Sequence, residues 1–411
     1  MRPCRAQRCD GVARDLKHGS HLSASDPLAK LLVKQASAMG KSTEAASPAT
    51  RSPIFGPQAI SALEAQQKEA AMQHVAIDLG GRESQICARS AQGEILLESK
   101  VPTAKLADYL KRQAPSRVVL ETCAEAFRIA DIALQCEHDV RVVPATLVRS
   151  LGVGARGIKT DRRDAQVLSE VSCRIELPSV HVPTDLARQR RSMCGMREEL
   201  IRARTALINC VRGWARTQLL KVRSGHPETF SKRISDAALA SPDGLPAYVA
   251  RLCASVDALN EQIHRADEEL LHLAEHDPVC RRLMSIPGIG PVSSMRFVAA
   301  IDDVSRFPSA HSVQAFLGLT PGESSSSKKQ RRTGITKAGP PAVRRALVQA
   351  AWNLRRIQPH NPISQWASQI EQRRGKFIAT VAVARKLAGI MYALWRDGST
   401  YQPSYGKNMS G

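Results

Sequence analysis

The segment His74 to Gly80 reads HVAIDLG, an apolar run of strand-forming residues that stops on one acid. Asp78 constrains the chain more than any other residue, because a carboxylate set in a Val/Ile/Leu strand carries a burial cost unless a proton or a cation offsets it. A second β-branched run, Arg117 to Cys123 (RVVLETC), also contains a terminal carboxylate, Glu121. Further on, Lys159 to Ala165 (KTDRRDA) sets Asp161 and Asp164 three apart, on one face of a helix. Singly, each acid has an ordinary structural use: Asp161 as a helix N-cap, Glu121 as a strand end against a lysine. Together, on two buried strands and a helix start, the four predict a two-metal phosphoryl-transfer site.

The pattern around these acids predicts an α/β domain. Strands HVAIDLG and SQICARS, an AQGE turn and strand ILLESKV are followed by a helix over Leu106 to Gln113, strand RVVLETC, a helix over Ala124 to Cys136 and strand VRVVP. Three strands joined by short turns and then βαβ units make an antiparallel meander continuing into a parallel sheet, the order of the ribonuclease H-like (RuvC-like) fold. In that fold the first and fourth strands are neighbours, so Asp78 and Glu121 lie side by side and a later helix supplies Asp161 and Asp164. Carboxylates so close require divalent metal between them, and all-oxygen ligands favour Mg²⁺ or Mn²⁺ over zinc. Lys159, Arg162 and Arg163 either meet a phosphate backbone or solvate a helix face.

The remainder divides by composition. Residues 1–72 carry basic residues, Ser, Ala and Pro with short helical suggestions at Pro27 to Ala36 and Ile60 to Ala71; they read as a mostly disordered basic extension, with Met39 or Met72 as alternative starts. After the RuvC-like region (73–180) comes a helical region (185–275) with two seams: Met193, Met196, Leu200, Ala203, Leu207, Cys210 and Trp214, then Val249, Leu252, Val256, Leu259, Ile263, Ala266, Leu270 and Leu273. These fit an intramolecular hairpin or an intermolecular coiled coil. In the C-terminal region (280–398, before a tail at 399–411), PGIGP joins two helices, either as a plain connection or as a turn whose amides approach a phosphate. Ser324 to Ser327 lie beside Lys328, Lys329, Arg331 and Arg332, which by composition is a flexible loop with a basic patch. Lys337 follows, then a helix carrying Arg344 and Arg345, and an amphipathic core helix over Phe377 to Trp395.

Lys and Arg number 59 against 38 Asp and Glu, a net charge of +21, which points to a polyanionic partner, most simply nucleic acid. A membrane surface is the weaker rival, since the sequence predicts no apolar stretch approaching the roughly 20 residues that span a bilayer. The ten cysteines form no CxxC pair and predict neither zinc nor disulfides, and aromatics at 4% argue against binding built on stacking.

These motifs, in this order, resemble the DEDD transposases of the insertion-sequence one-ten family, closest to its eleven-eleven subgroup, with Piv-type DNA invertases as relatives. AIDLG, LET and KTDRRDA are similar to its four acidic positions; IPGIGP, FLGLTP, the serine-lysine run, GITKAG and VAVARKLAGIMYALWRDG are similar to its C-terminal transposase domain. The resemblance implies a bacterial, cytoplasmic and nucleoid-associated recombinase that acts on element ends and target DNA as a homo-oligomer, dimer or tetramer, with a structured noncoding guide RNA. It also implies a serine nucleophile. Aligned backward from Gly334 to Lys337, that serine is Ser325, with Ser326 as the alternative, and Lys328, Lys329, Arg331, Arg332, Lys337, Arg344 and Arg345 are then nucleic-acid contacts. Two positions depart from the family: the glycines that usually precede the lysine are absent, and GITKAG runs into Pro340 and Pro341. The rival functions are a Holliday-junction resolvase or structure-specific nuclease using the acids and water, and a binding remnant without catalysis.

Overall fold

A computed structural model describes residues 72–150, 161–239, 244–326 and 329–403, without the side chains of 149–150 and 323–332. Residues 1–71 of the extension expected over 1–72, Lys159, Ser327, Lys328 and most of the tail lie outside the described residues.

Strands β1 (His74–Asp78), β2 (Glu83–Arg89) and β3 (Ile95–Pro102) form the expected antiparallel meander, and β4 (Arg117–Glu121) and β5 (Asp139–Val143) continue it in parallel, giving the order β3-β2-β1-β4-β5. Alternation along the strands sorts the side chains into two layers. Val75, Ile77, Val118 and Leu120 meet α1 (Leu106–Arg112) and α2 (Ala126–Gln135) on one face. Ala76, Val119 and Val143 meet α3 (Ala145–Ser150) and α4 (Asp161–Arg174) on the other. The chain turns out of β1 at Gly80, where a β-carbon would stand 2.2 Å from the carbonyl oxygen of Glu83; only glycine permits that approach.

The two heptad runs form α5 (Asp185–Thr217) and α7 (Ala247–His276), packed on one another within the chain and capped by α6 (Phe230–Ala238). On α7 the expected seam is buried at Val249, Val256, Ile263 and Leu270, while Leu273 is exposed. On α5 it is not the seam expected. Met196 is 70% exposed, and Ala203 and Cys210 also face solvent. The buried row is Ala187, Cys194, Ile208 and Ala215, with Ile201 half-buried at the same seven-residue interval. Between these positions, again seven apart, stand three arginines: Arg190 pairs with Asp277, Arg197 with Asp267 (Nη2 to Oδ2, 3.1 Å), and Arg204 with the Asn260 side chain (2.9 Å). A count of apolar residues passes over such a ladder, because its charges enter the seam in pairs.

The C-terminal part packs α8 (Pro278–Met284), α9 (Pro291–Ile301), α10 (Ala310–Phe316), α11 (Pro341–Ile357) and α12 (Pro362–Arg374) around α13 (Lys376–Asp397). By length and composition α13 could cross a bilayer, contrary to the expectation that no segment comes near this, yet 61% of its most apolar window is buried in the protein. It is apolar nearly all round because it is the central helix, not an amphipathic one. The PGIGP turn also has a packing explanation: Gly288 lies at φ +87° and a β-carbon there would sit 2.8 Å from the Ala350 carbonyl oxygen on α11. The serine-lysine run, expected to be a loop, is a two-stranded hairpin of β6 (Pro321–Ser326) and β7 (Lys329–Ile335).

Candidate functional site

The acids are assembled by strand register first. Parallel pairing of Ile77 with Leu120 carries both chains one residue further to Asp78 and Glu121, at the C-terminal ends of adjacent central strands. By alternation both belong with Ala76 and Val119 on the layer covered by α4. Each is half-buried.

Contacts along α4 fix its direction over that layer. At one end His74 Nδ1 lies 2.7 Å from Ser172 Oγ, both buried. In the middle Ser169 Oγ is 3.2 Å from Cys87 Sγ, and Cys87 pairs with Ala76. At the other end Asp161 acts on Lys100, which pairs with Gln85, itself paired with Asp78. From His74 to Asp78 the strand rises about 13 Å, and from Ser172 back to Asp164 the helix rises about 12 Å, so Asp164 arrives level with Asp78. Asp164, Ala165, Leu168, Ser169 and Ser172 form the buried stripe of α4, with Asp164 only 3% exposed. Asp161 occupies the first helical position and is exposed. The positive end of the helix dipole favours carboxylates at both positions.

Two further residues of this layer escaped the sequence reading. Glu98 on edge strand β3 accepts from Arg162 (Nε to Oε2, 2.9 Å) and from Gln166, and these bonds, Gln166 first, hold its carboxyl below the usual range. Lys100, two residues on and hence on the same face, is held protonated by Glu83 and, more weakly, by Asp161. The two-residue alternation of Glu98 and Lys100 is the signal that could have found them. Among the described residues no three His, Cys, Asp or Glu side chains are grouped closely enough to enclose a metal ion. The donor set still suits one: hard oxygen ligands from two strand ends and a facing helix start, with no imidazole or thiol among them.

The basic residues fare unevenly. Arg162 is engaged by Glu98, and Arg163 is exposed at the start of α4. Arg344 donates to the carbonyl oxygens of Leu317 (2.9 Å) and Ala338 (2.8 Å), bracing the base of the serine hairpin. Arg345 shares Glu198 with Arg296 (2.5 and 2.8 Å), tying α11 to α5. Both arginines therefore have structural work that the sequence did not suggest. Lys337 adopts φ +55° at the hairpin base, its N–H donating to the Gly318 carbonyl. In the hairpin Ser324 pairs with Arg331, Ser325 with Gln330 and Ser326 with Lys329, and Arg332 with Glu323. β6 and β7 pack on one another, and neither packs extensively on β1, β4 or α4. The four acids thus come to one end of one sheet, while the serine strand belongs to the C-terminal part.

A five-stranded sheet of order β3-β2-β1-β4-β5, three antiparallel strands continued by two parallel ones, has the strand order of the RNase H-like fold. Residues 75–217 match the DEDD family model described as a transposase, and residues 280–364 match that of the transposase IS116/IS110/IS902 family. A putative transposase, y4pF/y4sB, of Sinorhizobium fredii (strain NBRC 101917 / NGR234) is 30% identical over 76% of this chain and 81% of its own length. A probable family 20 transposase of Pseudomonas aeruginosa is 28% identical over 81% of this chain and 99% of its own length, and the transposase for insertion sequence element IS1111A of Coxiella burnetii is 28% identical over 79% and 90%. The chain belongs to the IS116/IS110/IS902 family of transposases, enzymes that cut and rejoin DNA to move an insertion sequence. Its DEDD domain implies use of a divalent metal.

Proposed function

We propose that this transposase cuts and rejoins DNA with Asp78, Glu121, Asp161 and Asp164 as its acidic set and Ser325, alternatively Ser326, as its nucleophile. The observation that carries the reading is the register that sets Asp78 beside Glu121 under the N-terminal turn of α4. The four carboxylates would hold Mg²⁺ or Mn²⁺, which when bound stabilises charge on the reacting phosphate oxygens. The serine Oγ forms a phosphate ester as the P–O bond to the deoxyribose breaks; the leaving oxygen takes up a proton and the serine proton passes to solvent. A hydroxyl of the receiving strand then reverses the exchange and frees the serine. Lys328, Lys329, Arg331 and Arg332, with Arg163 at the start of α4 and Lys159, hold the phosphates and offset their charge.

This chemistry needs the serine hairpin over the acids, by movement of the C-terminal part or from a second copy in a dimer or tetramer. Similarity to the IS1111A transposase supports placement in the eleven-eleven subgroup, and with it target choice by a structured noncoding RNA. The test is a trapped protein–DNA adduct. Ser325→Ala should bind DNA yet form no denaturation-resistant adduct, Ser324→Ala should still form it, and peptide mapping should find the nucleotide on Ser325 or Ser326. Cleavage without any adduct would install the water-using resolvase or nuclease in its place.

A further inference from the structure

The tip of the α5–α7 hairpin carries charge that the reading above does not use. Between residues 212 and 233 stand Arg212, Arg216, Lys221, Arg223, Lys232 and Arg233 against one acid, Glu228, which faces His226 (3.4 Å). Along the shaft of the hairpin Arg190, Arg197 and Arg202 each have an acidic partner. At the tip, among the described residues, Arg216, Lys221, Arg223 and Lys232 are exposed and no carboxylate lies within ion-pair distance of them.

This charge sits on a rigid head. Phe230, Ile234, Val211, Ala215, Val249, Cys253 and Val256 form a separate small core. Arg212 and Arg233 lie 5.7 and 5.9 Å from the Phe230 ring centroid, and Arg233 donates to the carbonyl oxygens of Arg223 and His226, so the loop bearing the free cations is fixed from within. Beside it opens a cleft of about 280 Å³ lined by Arg212, Arg216, Leu220, Val222 and Ser224. Cations held apart around a cleft on a folded support, with no carboxylate in ion-pair distance among the described residues, suit a chain of phosphates.

We propose that the hairpin tip is a second, sequence-independent site for a polynucleotide backbone, separate from the acids of the sheet. An α5 of 33 residues spans roughly 50 Å, so bound duplex would be held up to about 15 base pairs from the start of the hairpin. The backbone is either DNA of the element or target, or RNA; the phosphate chemistry is common to both. The inference concerns binding only and stands whether or not Ser325 is the nucleophile.

The test uses the full chain with Arg216, Lys221, Arg223 and Lys232 all changed to Gln, and reads fluorescence anisotropy with a 40-base-pair duplex DNA and a 40-nucleotide hairpin RNA from 0.05 to 0.3 M salt. Loss of four phosphate contacts should flatten the log K against log salt slope for duplex by about 3.6, with affinity at least tenfold weaker at 0.1 M salt. A change confined to the DNA probe assigns the tip to DNA, and one confined to the RNA probe assigns it to RNA. Unchanged slopes for both probes overturn the proposal. So does a variant that alters only the sedimentation coefficient, which would make the tip a protein interface. Should the fourfold variant melt early, Lys232→Glu alone, on an exposed helix position, must still weaken binding to one probe by more than twofold or the proposal falls.

Discussion

Asp302, at the end of α9, is where the C-terminal helices grip the segment leaving the sheet domain, and replacing it should loosen that joint by a calculable amount. Its side chain is 4% exposed; the carboxylate accepts from His181 Nε2 (2.7 Å), the Thr184 N–H (2.8 Å) and the Thr184 hydroxyl (2.6 Å), and that same hydroxyl oxygen accepts from Ala187 N (3.1 Å) to cap α5. Hydrogen bonds to a charged group contribute about 1.5 to 3 kcal/mol each. Thr184 is exposed and can find water once the carboxylate is gone, so the lower figure applies to each of the three bonds and Asp302→Ala should cost about 4.5 kcal/mol. Asp302 also lies at φ +63° and ψ −60°, in a γ-turn closed by the Asp303 N–H on the Ile301 carbonyl, a conformation that costs an L-residue about 1 kcal/mol and glycine little. Asp302→Gly should therefore cost about 3.5 kcal/mol, and Asp302→Asn, which keeps one acceptor oxygen, about 2. Urea titrations of the full chain would measure the order Asn, Gly, Ala. Burial raises the Asp302 pKa, but the bonds from Thr184 and His181 outweigh it and the net shift is downward. A depressed aspartate stabilises the fold fully above its unfolded pKa of about 3.9 and loses that contribution as pH falls through the folded value. The gap between wild type and Asp302→Ala should shrink as pH falls below about 4. A cost under about 0.5 kcal/mol, or a gap that persists undiminished at pH 2.5, would refute the reasoning.

Three other perturbations follow from the same geometry. Asp78→Asn and Asp164→Asn should each lower metal-dependent strand cleavage by about 10³-fold or more while leaving DNA affinity within about twofold, since backbone cations dominate binding; gel cleavage and anisotropy assays separate the two. In the hairpin ladder, Arg197→Met alone should destabilise by about 1 kcal/mol, because Asp267, 40% exposed, loses its partner but meets water, and adding Asp267→Leu should recover part of it; a double-mutant cycle in urea measures this. Gly339→Ala would put a β-carbon 1.8 Å from the Phe316 carbonyl oxygen at φ +70°, so the base of the serine hairpin must shift, with a melting temperature several degrees lower and reduced adduct formation.

Much of this protein is already written in local patterns. The β-branched runs at 74–80 and 117–123, with turn residues between the strands, determine a meander followed by parallel units, because alternation and turn chemistry are properties of a few adjacent residues. The two acids at strand ends stood out for the same reason, as did Asp161 and Asp164 at helical spacing. What required tertiary structure was every choice between faces and partners. Nothing local says that Glu98 and Lys100 on an edge strand share a layer with Asp78; that follows from pairing across three strands. Nor does hydrophobic periodicity reveal that α5 turns Arg190, Arg197 and Arg204 into its seam while Met196 faces water, since an arginine can be buried there only against acids and an amide that lie 56 to 87 residues later. The serine run reads as a loop by composition and becomes a strand only because residues 329–335 lie opposite to satisfy its backbone. Arg344 and Arg345, cationic in sequence and so open to any anion, also meet the carbonyls and the carboxylate that folding brings within 3 Å.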